Sequence, residues 1–221
     1  LLWLPYAVAE YMLNTEDYKI LDKKLPYVTG ETLDEDENEV YMTVGVSEYK
    51  ETLYEHCLKA IDHALEFGPH GLPLMKGGDW NDGMNKVGIK GQGESIWLGW
   101  FLAQILKRFS KICMEKDDRE KSTEYLNHQK DIIQAIEEEG WDGSWYRRAY
   151  YDDGSPLGSK GNSECKIASL PQSWSVISTL GNEKRSKDAM ASVNNHLILD
   201  DKGMILLFAP PFERDQKDPG Y

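Results

Sequence analysis

Apolar residues recur at helical spacing from the first residues of the chain. Leu4, Ala7, Val8, Tyr11 and Met12 share one side of a predicted helix over residues 3–14, with Pro5 near its start, where proline is tolerated. Residues 26–38 read as a loop. Leu53, Cys57, Ala60, Ile61 and Ala64 make a second apolar face that runs to about residue 67. Ser47 is read as opening that helix, although Lys50 stands where a capping box wants Glu, and Phe67-Gly-Pro-His-Gly closes it. From Glu94 the run ESIWLGWFLAQILKRF is apolar nearly all round, the signature of a buried helix. Asp117-x-x-Glu120 predicts the start of a further helix ending at Gly140. Helices are also expected over 172–180 and 183–197, with one short strand at 204–208. Residues 144–158, SWYRRAYYDDGSPLG, read as short strands or an ordered loop.

Helices follow one another without a regular alternation of strand and helix. That excludes a parallel-sheet α/β fold and makes the class mainly α, with short strands in decorated loops. The long connections carry the aromatic and acidic residues, and long connections are uncommon unless functional.

Charge narrows the partners. The formal net charge is −13 over 221 residues, with no basic stripe, so no nucleic-acid partner is expected. No apolar run reaches the roughly 18 residues that span a bilayer. Five acids crowd positions 34–39, a pattern read as a solvated segment and not as a metal site. Cys57, Cys113 and Cys165 lie far apart with no CxxC, which argues against a zinc site or disulfide framework and for a reducing, cytoplasmic setting. His56, His63 and His70 repeat every seven residues, not at the three or four that metal pairs on a helix prefer. An EF-hand fails too: counting from Asp79, Gly83 is fifth and Lys90 twelfth. The chain begins LLWLPYAVAEY without Met and stops at KDPGY, and the expectation is a fragment of something longer.

The candidate chemistry centres on GGDWNDGMN at 77–85. Glycines on both sides let the backbone turn tightly, displaying Asp79, Trp80, Asn81 and Asp82. Such a turn is either a working surface or a self-bonded loop with a packed Trp. Glycosidic cleavage needs a carboxylic acid to protonate the leaving oxygen. Asp79 and Asp82 are too close in sequence to face each other across a substrate, so one is expected to bond the turn's own amides and the other to be free for chemistry. Seven tryptophans and twelve tyrosines are many for this length. Trp80, Trp141, Trp145, Tyr146, Tyr150 and Tyr151 fall in loops beside acids and amides, as sugar platforms do. Packing is the expected role of most of them.

Four stretches, GPHGLPLMKGGDWNDGMNKVG, GESIWLGWFL, WYRRAYYDDGSPLGS and APPFERDQKDPGY, resemble the inverting β-glucoside phosphorylases of glycoside hydrolase family ninety-four. The branch they look most like holds the 1,2-β-oligoglucan phosphorylases and the C-terminal region of cyclic β-1,2-glucan synthases. The resemblance covers almost the whole chain. It implies an (α/α)6 barrel, of which residues 1–221 would be an incomplete catalytic domain lacking N-terminal and C-terminal parts. It implies that Asp82 is the general acid and that Trp80 lines the donor sugar site, with Asp79 and Asn81 holding the loop or touching hydroxyls. Arg147, Arg148, Tyr150 and Gln172 are further candidate substrate contacts. No cofactor is implied: inorganic phosphate is the co-substrate and a β-glucan oligosaccharide the partner. In the family the chain continues past Asp-Pro-Gly-Tyr to a phosphate-binding histidine. If the domain is on a synthase, it lies on the cytoplasmic side of the inner membrane.

Two rivals stand beside this reading. An inverting hydrolase would need a second carboxylate to activate water, with Glu164, Asp152 and Asp153 as candidates. A glucan-binding module would use Trp80 and Tyr150 without turnover. A barrel left open would expose Trp97, Trp100 and Phe101, so association, including a homo-oligomer, is expected of a truncated barrel.

Overall fold

The computed structural model describes residues 1–32, 40–213 and 217–220; the acidic run at 34–39 lies outside them. The chain divides into two compact units, Leu1–His63 and Ala64–Tyr221. No helix among the described residues is long and apolar enough to cross a membrane.

In the first unit, α1 (Trp3–Thr15) buries Pro5, Val8, Ala9 and Met12. Strands β1 (Lys24–Thr29) and β2 (Gly45–Thr52) pair antiparallel, with a register shift between Pro26 and Val28. This corrects the expected loop at Pro26. A two-stranded ribbon leaves each strand one open edge, so a residue without an N–H is tolerated, and the irregularity falls beside it. Helix α2 (Leu53–Asp62) starts six residues later than Ser47 and ends at Asp62, short of residue 67. Thr52 and Glu55 make the capping box that Ser47 and Lys50 cannot: Glu55 N–H donates to Thr52 Oγ1 at 3.2 Å, and Thr52 N–H to the Glu55 carboxylate at 2.7 Å.

Glu51 ties the ribbon to α2. Its carboxylate accepts the hydroxyls of Tyr27 and Tyr49 and the ammonium of Lys59. Tyr27 stacks on His56, ring centroids 3.9 Å apart. Lys59 first, then the two tyrosine hydroxyls, hold the Glu51 carboxyl at about 2, below its ordinary 4.5. A depressed folded-state value means stability that is fully present above about 4.5 and is lost as pH falls toward 2. Acid titration followed by tyrosine near-ultraviolet dichroism is therefore expected to show a transition in that window. A Glu51→Gln variant should lack it; an unchanged titration in the variant would refute the assignment.

The second unit is built around α3 (Ile96–Glu115), which packs along α4 (Arg119–Ala135) and against α5 (Ser169–Ile177). The all-round apolar pattern is met by neighbours on every side. Trp97, Trp100 and Phe101 are 5%, 0% and 1% exposed, Trp100 edge-on to Tyr146 and Phe101 edge-on to Trp174. The exposed apolar wall expected of an open barrel is thus absent at these three residues, and they give no drive to association. Burying each such side chain contributes roughly 1.5–3 kcal/mol.

The cap of α4 is Asp118, one residue past Asp117, which adopts φ +60°. A wide turn over Ile136–Gly140 follows it. Helix α5 begins three residues before Gln172 because Pro171 fits a helix's first turn, where its missing N–H has no partner to lose. Helix α6 (Glu183–His196) is capped by Asn182.

The strands of this unit are all two residues long. β3 (Glu94–Ser95), β4 (Ala149–Tyr150) and β5 (Pro156–Leu157) form one antiparallel sheet in that order. β6 (Ile167–Ala168) pairs with β9 (Phe208–Ala209), and β7 (Ile198–Leu199) with β8 (Met204–Ile205). The single strand expected at 204–208 is thereby two, in different pairs. The fold is mainly helical with short strands in its connections.

Candidate active site

The GGDWNDGMN loop enters the second unit between Met75 and Val87, two residues buried in one core cluster with Met84, Ala149, Tyr151, Leu157 and Cys165. Met84 anchors the middle of the loop. Around it the polar side chains divide their work. Asp79 Oδ2 accepts the N–H of Asn81 at 2.9 Å, and Asn81 Oδ1 accepts the N–H of Gly83 at 3.3 Å, capping the single 3₁₀ turn Asp82–Met84. Side chains of this kind bonding two residues onward close a turn without help from a sheet. The loop is self-bonded through Asp79, yet its Trp is not packed: Trp80 is 51% exposed, and Asp82 is exposed beside it.

Asp79 faces inward. Its carboxylate pairs with the guanidinium of Arg148, both side chains at most 2% exposed. Arg148 also donates to Ser95 Oγ at 3.2 Å and lies over the Trp97 ring, 6.0 Å from its centroid. Ser95 Oγ in turn caps α3 by accepting the N–H of Leu98 at 3.2 Å. The rigid buried helix is thus connected to the motif loop through Ser95, Arg148 and Asp79. Gly158, at φ +79°, makes room for this arrangement, since a Cβ there would lie 2.5 Å from the Arg148 nitrogen. Asp79 Oδ1 and Trp97 Nε1 are buried with no hydrogen-bond partner among the described residues.

The remaining sequence candidates are bonded elsewhere. Arg147 donates to Asp142 at 2.9 Å and to the Glu139 carbonyl at 2.5 Å. Tyr150 is 6% exposed, donates its hydroxyl to the Glu139 carbonyl at 2.7 Å and stacks on His70, centroids 3.9 Å apart. Gln172 has no exposed surface; its amide clasps both backbone groups of Tyr146, at 2.8 and 2.7 Å, and the Ala168 carbonyl at 3.0 Å. The polar groups of these three are thus engaged within the protein, and Tyr150 and Gln172 are buried. Burial raises the Tyr150 hydroxyl above its ordinary value.

The loop acids named for a hydrolase are also occupied. Asp152 accepts the N–H groups of Lys90, Gln92 and Gly93 at 2.8–2.9 Å. Asp153 pairs with Lys217 and closes its own turn on Ser155; those bonds, Lys217 foremost, hold its carboxyl well below the carboxylate range. Glu164 accepts the N–H of Glu213 at 3.0 Å.

Sequence reasoning missed Glu94. It is 1% exposed and takes the N–H groups of His70 and Leu72, each at 3.0 Å, and the His70 ring at 2.5 Å. The only sequence signal was Ser95 ahead of the apolar run, an N-cap that marks where the helix begins but says nothing of the carboxylate before it. Among the described residues no group of three or more His, Cys, Asp or Glu is placed to hold a metal.

Beside the exposed face of the loop lies a groove of about 540 Å³, lined by Asn81, Gly83, Met84, Phe208, Phe212 and Pro219 among others. Asn81 and Gly83, the residues on either side of Asp82, line this groove; Trp80 and Asp82 themselves are exposed on the same loop. The "Glycosyl hydrolase 94 superfamily, catalytic domain" matches residues 1–221 in full. The chain belongs to this superfamily. It is 44% identical over 220 residues to the cyclic beta-(1,2)-glucan synthase NdvB of Rhizobium meliloti, covering 99% of this chain and 8% of that protein. It is 30% identical over 219 residues to the cellobionic acid phosphorylase of Neurospora crassa, and 32% over 212 to the solabiose phosphorylase of Paenibacillus borealis. Those alignments take in 99% and 95% of this chain and 25% of each relative. The chain therefore spans a quarter or less of the length of these relatives.

Proposed function

We propose that residues 1–221 are part of an (α/α)6 catalytic domain that performs inverting phosphorolysis, or the reverse synthesis, of β-1,2-linked glucans, with Asp82 as general acid. The flanking sequence would supply the rest of the barrel and of the phosphate site. Superfamily membership supports a sugar substrate and phosphate, and the 44% likeness to a cyclic beta-(1,2)-glucan synthase supports the linkage.

The observation that carries the assignment is the division between the two motif carboxylates. Asp79 is buried, and its carboxylate is taken up by Arg148 and by the N–H of Asn81, so it is engaged within the protein. Asp82 directly follows Asn81, exposed on a turn that Asn81 caps and Met84 anchors. In the reaction, a phosphate oxygen attacks the anomeric carbon from the face opposite the β bond. The C1–O bond to the leaving sugar breaks, and that oxygen takes the proton of Asp82. The products are α-glucose 1-phosphate and a glucan shorter by one unit. No enzymic base is required, because phosphate is already the nucleophile; this agrees with Asp152 and Asp153 being held in framework bonds. Trp80 offers its ring to the sugar's C–H face. Asn81 uses its side-chain oxygen on the turn, and its NH₂ group is placed to reach a hydroxyl. Asp79 and Arg148 act as positioning residues.

The test uses the full polypeptide with β-1,2-glucooligosaccharides, with and without inorganic phosphate, following α-glucose 1-phosphate. Phosphate-dependent formation of that product is the expected result. Glucose or shorter glucans released without phosphate would replace this reading by hydrolysis. Binding without any turnover would replace it by a carbohydrate-binding role.

A further inference from the structure

The loop that carries Asp82 is held at two ends. Asp79 and Arg148 hold the first; the second is held by a segment far away in sequence. Lys86 donates its N–H to the Pro219 carbonyl at 3.0 Å, and its ammonium pairs with Asp218 at 2.5 Å. Asp218 Oδ1 accepts the N–H of Gly220 at 3.0 Å, which turns the segment onto the loop. Gly220 then packs so closely that a Cβ on it would lie 2.3 Å from the Gly83 carbonyl oxygen and 2.3 Å from Asn85 Oδ1; its φ of +147° also suits glycine alone. Lys217 continues the attachment through Asp153 and Ser155, with its ammonium 5.1 Å from the centre of the Tyr151 ring.

We infer that Lys86, Asp218 and the Pro219–Gly220 backbone form a clamp that sets the position of Asp82, making Lys86 and Asp218 positioning residues for proton donation. The inference rests on the phosphorolytic reading above and on Asp82 as its acid. The Lys86–Asp218 pair is about half exposed, at 48% and 58%. An exposed ion pair adds little to global stability, so removing it leaves the fold intact. What it does add is the register of the loop: of the two residues that meet Gly220, Gly83 lies within the turn that starts at Asp82 and Asn85 directly follows it. A carboxyl displaced by about 1 Å from its proton acceptor loses on the order of 100-fold in rate, so a weak pair can still govern turnover.

Two substrates separate positioning from structure. A sugar leaving group must be protonated as the C1–O bond breaks. β-Glucosyl fluoride is smaller than any glucoside substrate. With phosphate it gives the same α-glucose 1-phosphate as the C1–F bond breaks and fluoride leaves as the anion, with no proton from the enzyme. In the full polypeptide, Lys86→Met, Asp218→Asn and Gly220→Ala are expected to lower turnover of β-1,2-glucan about 10- to 100-fold with little change in KM. Their turnover of the fluoride should stay within about two-fold, since general-acid help is not required there. The Lys86→Met/Asp218→Asn double variant should be no worse than either single, because the two residues act as one unit. Asp82→Asn should lose more on glucan than on fluoride. The clamp is overturned if Lys86→Met and Asp218→Asn keep full glucan turnover while Asp82→Asn does not, or if glucan and fluoride turnover fall together. Should the wild-type protein make no α-glucose 1-phosphate from either substrate, it is the phosphorolytic reading that fails. Hydrogen exchange then judges the clamp by itself: the Lys86 amide should exchange faster in Asp218→Asn and Gly220→Ala, and unchanged exchange would overturn it.

Discussion

Asp82→Asn, placed in the full polypeptide, is expected to lower phosphorolysis of β-1,2-glucan by about 10²- to 10⁴-fold, the usual contribution of a positioned general acid. Asn keeps the size and the hydrogen-bonding reach of Asp, and the side chain is exposed, so neither folding nor glucan binding should change much. The loss should therefore fall on kcat and leave KM nearly untouched, as when an interaction made in the transition state is removed. The same substitution at Asp79 is expected to behave otherwise. There the carboxylate is the buried partner of Arg148, and its neutralisation strands a guanidinium, so the damage appears first in stability. Steady-state kinetics beside thermal melts of the two variants make the comparison. Asp82→Asn with unimpaired turnover would remove Asp82 from the acid role.

The largest effect on stability is expected at Arg148. Arg148→Met keeps the length of the side chain and removes its charge, leaving the Asp79 carboxylate, 1% exposed, without its counter-ion. Breaking a buried pair from one side costs about 3–5 kcal/mol. Thermal melts of the full polypeptide should read this loss as a lower melting temperature. Adding Asp79→Asn to Arg148→Met removes the stranded charge and should recover part of the loss. A loss under about 1 kcal/mol in the single variant would mean that the pair is far more hydrated than its burial indicates. Because Ser95 and Trp97 belong to α3, the variant also disconnects the loop from the helix, and turnover should fall with stability.

What was legible in the sequence was whatever depends on neighbours along the chain. The burial of α3 followed from a run with no polar face, and the helix after Asp117 from its capping-box-like start. Capping was read less well, because Ser47 and Thr52 look alike until one asks which has Glu three residues on; Thr52 does. The loop at 77–85 was recognisable by its glycines, and the expectation that one of its acids would bond the turn holds for Asp79. Which acid turns inward was not legible. It depends on Arg148, 69 positions away, and on Gly158 leaving space behind it. Tyr150 and Gln172 illustrate the same limit: an aromatic or an amide in a loop has the composition of a sugar contact, and its partners within the protein, Glu139 or Tyr146, are not written beside it in the sequence. The buried Glu94 gave no local sign, since its three ligands are the backbone and ring of a turn 22–24 residues earlier.

The two ends of the acid loop find their partners at very different times in the life of the chain. Asp79 waits 69 residues for Arg148, and Lys86 waits 132 for Asp218. During synthesis from the N-terminus, α3 and α4 can close on each other as soon as they emerge, through contacts that are short in sequence. The loop between Met75 and Val87 has by then been made but not placed. It acquires its inner anchor when Arg148 appears and its outer one only with the last few residues described. Contact order thus separates the framework from the motif loop: the helical core needs only contacts close in sequence, and the loop waits for partners 69 and 132 residues away.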